Sequence, residues 1–126
     1  MNKHIELAIH MAYKSSSKFR LGAVLAKKNR VVSTGYNNMG KSHPLQQKYA
    51  KNVNFTLGLH AEVASCLGIP MLDIKDATLY VVRLLKDNKT ALAKPCSTCQ
   101  NFIYNVGIKK VIYSDEFDSF KNMDFR

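Results

Sequence analysis

Two short stretches constrain this chain more than any others: His60-Ala61-Glu62, and Pro95-Cys96-Ser97-Thr98-Cys99. Each stands where a helix is predicted to begin. Cys96 and Cys99 lie three residues apart, so both sulfurs can converge on one ion while the helix N-terminus favours their thiolate forms. A Cys-x-x-Cys pair alone fits a thioredoxin-like redox site equally well, and its surroundings must decide. Two cysteines also leave a zinc site unfinished, because structural zinc takes four protein ligands and catalytic zinc takes three plus water. The chain has only three cysteines, Cys66 being the other, which excludes a closed site of four. His60 is the natural third ligand. It begins its own helix as Cys96 does, and two helices that start at the same edge of one sheet would bring His60, Cys96 and Cys99 together. The fourth position is then left for water.

Glu62 falls on the first turn of the histidine's helix, where it can face that water without displacing a ligand. Zinc lowers the pKa of bound water to about 7, and a nearby carboxylate can carry the released proton to a leaving group. Water attack on an aromatic carbon bearing an amino group, with loss of ammonia, needs that division of labour.

A length of 126 residues suits one domain, residues 1–126, able to bury a core without disulfides. With 46% hydrophobic and 22% charged residues, extensive disorder is not expected. No apolar run approaches a membrane span and the N-terminus lacks a secretion signal, so the expectation is a cytoplasmic protein with no membrane partner. The net charge of +10 is uneven: before Glu62 the only acidic residue is Glu6, against ten Lys and Arg. A one-sided positive field attracts phosphates, on a nucleotide or along a polynucleotide, although solvated surface lysines give the same count.

Apolar residues at helical spacing predict a first helix from Asn2, its N-cap, to about Ser17. Gly22 to Ala26 and Arg30 to Gly35 read as a hairpin around Lys27-Lys28-Asn29. Residues 37–59 show no sustained period and read as a long loop of functional type. A helix follows from His60 to Leu67, stopped near Gly68 and Pro70. The run "ATLYVVRLL" reads as a buried strand, Ser97 to Val106 as a helix ended by Gly107, and Lys109 to Ser114 as another strand. Residues after Asp115 read as a short helix or tail. The order describes an α/β fold, a mixed sheet covered by helices.

"HAE" followed by "PCSTC" resembles the zinc-dependent cytidine and deoxycytidylate deaminase superfamily, whose H-x-E and P-C-x-x-C signature it carries. "VVSTGYNN", "TLYVV" and "GIKKVIYS" resemble the strands around those motifs in the deoxycytidylate deaminase branch, so the likeness covers most of residues 1–115. "SHPLQQKYA", Ser42 to Ala50, resembles small phage-encoded members, placing the expected site of action in a host cytoplasm.

The resemblance implies a three-layer α/β/α fold with a mixed sheet of four to five strands. It implies one Zn2+ per chain, held by His60, Cys96 and Cys99, with Glu62 as general acid and base. Asn37 would contact the sugar or base, and Ala61 and Pro95 would line the base pocket. The implied reaction is hydrolytic deamination of cytosine in deoxycytidylate or a related nucleotide. The alternatives are a deaminase of cytosine or adenine in single-stranded DNA, RNA or tRNA, and a non-catalytic zinc-stabilised module. A homo-oligomer is also implied.

Lesser candidates stand beside plainer readings. His43 and Lys41, with Lys48 and Lys51, sit in the loop that should border the pocket and could meet a phosphate, or be a turn residue and solvated lysines. Tyr49 and Phe55 could stack on a base or merely pack the loop. Cys66 reads as a small buried hydrophobe, and His4 and His10 as surface or boundary residues.

Overall fold

The computed structural model describes residues 2–38 and 59–126. His43, Lys41, Lys48, Lys51, Tyr49, Phe55 and the stretch Ser42 to Ala50 lie outside them.

Helix α1 (Lys3–Tyr13) begins where the sequence predicts, with the Asn2 side chain accepting a hydrogen bond from the His4 backbone N–H at 2.7 Å. It stops before Ser17 because Ser15 is drawn to the end of a strand, its hydroxyl donating to Asn37 Oδ1 at 2.6 Å. Strands β1 (Arg20–Lys27) and β2 (Arg30–Tyr36) form the predicted hairpin. Both turn residues, Lys28 and Asn29, have positive φ, 53° and 64°, which matches the two-residue turn that suits strand twist.

The helix predicted from His60 to Leu67 is one α-turn, α2 (Ala61–Ala64). Beyond it the backbone tightens to three-residue bonds, Cys66 to Val63 and Leu67 to Ala64, and the Ser65 hydroxyl bonds back to the Glu62 carbonyl at 2.7 Å. A second turn, α3 (Met71–Ile74), follows Pro70. Then come β3 (Thr78–Leu84), the two-residue β4 (Thr90–Ala91), α4 (Ser97–Val106) and β5 (Lys110–Ser114). Helix α4 ends at Gly107 with φ 93°, the left-handed cap the sequence marks. The expected tail is a 3₁₀ turn (Glu116–Asp118) and an edge strand, β6 (Phe120–Asp124), pairing antiparallel with β5. Its spaced polar residues gave no two-residue period to read.

The sheet runs β2-β1-β3-β5-β6, with β4 added to β3 off that path. It is mixed as expected: β3 and β5 are parallel and the other pairs antiparallel. Side chains alternate between two cores. Ala23, Leu25, Leu79, Val81 and Val111 face α2 and α4 with Val63, Phe102 and Ile103. Val24, Ala26, Tyr80 and Val82 face α1 with Ile5, Ala8 and Ala12. Helices thus cover both faces in three layers. His4, expected near the surface, is only 1% exposed, because its ring lies 5.1 Å from Tyr80 and its Nε2 meets Asn29 Oδ1 at 3.1 Å; His10 is exposed. Among the described residues, no helix is long and apolar enough to cross a membrane.

Two glycines set how closely the helices approach. A Cβ at Gly22 would land on the Ala8 carbonyl and the Ala12 amide of α1, and one at Gly35 would sit 2.6 Å from the Ser65 amide beside α2. Gly22→Ala is therefore expected to cost about 2 kcal/mol, read as a lower denaturant midpoint with unchanged slope.

Candidate metal centre and substrate cavity

Strands β2 and β3 are each antiparallel to β1, so they run the same way and end at the same edge of the sheet. The chain leaving β2 arrives at His60 and α2, and the chain leaving β3 arrives at Cys96 and α4. His60 and Cys96 are the N-cap residues of these two helices. Parallel strand direction therefore brings together ligands far apart in sequence, in the crevice beyond the strand ends where α/β proteins bind ligands.

The ligand atoms of His60, Cys96 and Cys99 all lie within 4.8 Å of one another. His60 Nδ1 is 3.2 Å from Cys99 Sγ and 3.7 Å from Cys96 Sγ. Donors bound to zinc at its usual bond lengths in a tetrahedron sit about 3.5 to 3.8 Å apart, so two sulfurs and one imidazole nitrogen at these separations can hold such an ion. Cys99 is buried in the core and Cys96 exposed, which leaves one side of the cluster facing outward.

The three side chains also set one another's protonation. Cys96 is held down to about 4, first by the hydrogen bond from the Cys99 thiol and then, against its own burial, by His60. Cys99 is pushed well up, because it is the donor in that bond and is buried. His60 is raised, chiefly by its bond to Cys96. Such a thiolate beside an imidazole is a ready cation receptor.

Glu62 is 4% exposed, and burial pushes its carboxyl up against the opposing pull of His60. It lines a cavity of about 380 Å³ together with His60, Cys96, Ala61 and Asn37. Thus four of the sequence-chosen residues outside the loop share that cavity with Glu62. Pro95 is not in its lining; it is buried beside it, its carbonyl accepting from Gln100 Nε2 at 2.8 Å at the head of α4.

Asn37, rather than Asn38, reaches the cavity. Its Oδ1 accepts from the Ser15 hydroxyl and from the Leu21 N–H at 3.0 Å, and its Nδ2 donates to the Phe19 carbonyl at 2.5 Å, so the side chain pins the segment before β1 against the end of β2. Asn38 instead pairs by backbone with Leu59, at 2.8 and 2.7 Å, aligning the approach to His60. Cys66 is core, its thiol pushed up to about 11 by burial, and lies outside the ligand cluster.

Phe19, Leu21, Arg83, Leu92 and Lys94 also line the cavity, and sequence reasoning did not choose them. Only Arg83 carried a signal, as the one charge inside the apolar run "TLYVVRLL".

Residues 1–115 match the family described as the cytidine and deoxycytidylate deaminase zinc-binding region. A deoxycytidylate deaminase of Mycobacterium phage D29 is 30% identical over 111 residues, 77% of this chain and 79% of that protein. Among solved structures, a cytidine deaminase from Burkholderia pseudomallei superposes with a TM-score of 0.65 at 19% identity, covering 97% of this chain and 90% of that one. The apo dCMP deaminase of cyanophage S-TIM5 gives 0.60 at 19% identity, over 91% and 82%. At such identities the two structures establish a shared fold.

The cluster's composition gives a direct test. Elemental analysis after zinc loading should find stoichiometric metal in the natural protein and in Cys66→Ser, and little in Cys99→Ser.

Proposed function

The chain belongs to the cytidine and deoxycytidylate deaminase family, and from that premise we propose that it hydrolyses the amino group from cytosine in deoxycytidylate or a related nucleotide. Water is consumed, the ring carbon gains a carbonyl oxygen, and ammonia leaves. The observation that carries this reading is a buried carboxylic acid, Glu62, in the same cavity as a cluster of three metal-ligating side chains. A carboxyl group gains nothing from such burial unless its proton chemistry is used.

His60, Cys96 and Cys99 would hold a zinc ion, which when bound would supply the Lewis acidity that makes water a nucleophile near neutral pH. Glu62 accepts the proton this water gives up, delivers it to the ring nitrogen, and shuttles a further proton to the departing amino group. Ala61, with no side chain beyond Cβ, leaves room in the wall for a flat ring. Asn37 is held at the cavity by its bonds to Ser15, Leu21 and Phe19, and the remaining amide hydrogen is its means of meeting a substrate oxygen. Cys99 sits behind the cavity in the core, which fixes the cluster against movement.

Glu62→Gln keeps the volume and removes the base. The zinc-loaded variant should retain its metal and release ammonia from deoxycytidylate at least about 100-fold more slowly. Turnover at the natural rate with metal intact would overturn the assignment.

A further inference from the structure

Arg83 stands where the strand pattern asks for an apolar residue. In β3, Leu79 and Val81 enter the core beneath α2 and α4, and Arg83 continues their alternation on that face. It lies directly across from Leu21 of β1 at the end of the sheet, and both line the substrate cavity. Arg83 also borders a second cavity of about 650 Å³, shared with Leu92 and lined by Leu85, Lys89, Thr90 and the acidic Glu116 and Asp118 of the 3₁₀ turn. It therefore marks the boundary between the space occupied by Glu62 and the space beyond it.

There Arg83 meets an aromatic ring. Its guanidinium carbon lies 4.7 Å from the ring centre of Phe19, a side chain 50% exposed that lines the substrate cavity. Among the described residues the guanidinium has no carboxylate partner, and its Nε is buried without a hydrogen bond. A buried unsatisfied donor is costly, and a guanidinium lying over an aromatic ring with no carboxylate partner among the described residues keeps its charge for an incoming anion. Lys94, in the same cavity, adds positive charge.

The geometry points to Arg83 as the residue that binds a phosphate ester of the substrate, with Phe19 as the platform that orients it. The phosphate belongs either to a mononucleotide or to a longer strand; Glu116 and Asp118 in the second cavity turn a strand's phosphates away from that side. Planar guanidinium donors match phosphate oxygens in pairs, which an ammonium cannot do. The inference rests on the deaminase reading, and it deepens that reading by naming the side chains that recognise the phosphate of the proposed nucleotide.

The test compares zinc-loaded natural protein with Arg83→Gln, Arg83→Lys and Phe19→Leu. Ammonia release is followed from deoxycytidine, from deoxycytidylate and from a short cytosine-containing single strand, and circular dichroism confirms folding. The natural protein should favour a phosphate-bearing substrate over deoxycytidine in kcat/KM. Arg83→Gln should reduce that preference at least about tenfold, mainly through KM, with Arg83→Lys and Phe19→Leu intermediate. The arm that loses preference identifies the source of the phosphate. A preference unchanged in all three variants means Arg83 is structural and overturns the inference while leaving the deaminase reading intact. If no substrate is deaminated, that reading fails, and calorimetric affinities decide Arg83 separately. Tighter binding of deoxycytidylate or the strand than of deoxycytidine, lost in Arg83→Gln, sustains it. Equal or absent binding overturns it.

Discussion

Strands β2 and β3 flank β1 and are each antiparallel to it, so both deliver the chain to the same edge of the sheet. The ligand cluster, the buried Glu62 and the cavity all depend on that shared direction. Reversing either strand would send its following helix to the opposite edge and separate His60 from Cys96. Antiparallel neighbours are joined by a two-residue turn at Lys28 and Asn29, whereas strands running the same way need long connections. Those long connections carry the chemistry here.

Packing then sharpens what strand direction permits. Gly35 lets α2 lie close against β2, and Glu62, on the first turn of that helix, is buried in the wall of the cavity. On the other side, the ten residues of α4 lay Phe102, Ile103 and Val106 into the core and so hold Cys99 behind the cavity. The polar groups at the site are placed by apolar ones around it. Asn37 acts similarly in the cavity lining, since its bonds to Ser15, Phe19 and Leu21 fix the segment that presents Phe19.

Much of this was legible in order along the chain. The cap at Asn2, the hairpin, the buried run of β3 and the glycine stop after α4 each depend on neighbours a few residues away, and their residue types declare them. Strand β6 and the two-residue β4 were not legible, because they exist through pairing with β5 and β3 rather than through a pattern of their own. His4 misled for a related reason. A histidine on a helix gives no sign that Tyr80, on a distant strand, will cover it.

The sequence by itself singled out the cluster that could hold a metal ion, His60, Cys96 and Cys99, and the carboxyl beside it, because metal chemistry restricts which residue types at which spacing can serve. Tertiary structure alone decided what those groups face. It placed Asn37 rather than Asn38 at the cavity, moved Pro95 out of the lining, and turned Arg83 toward the cavity with Phe19 against it. Spacing along a strand sets which face a side chain points from, but what covers that face comes from segments tens of residues away. That distance is closed only when the sheet and its helices assemble.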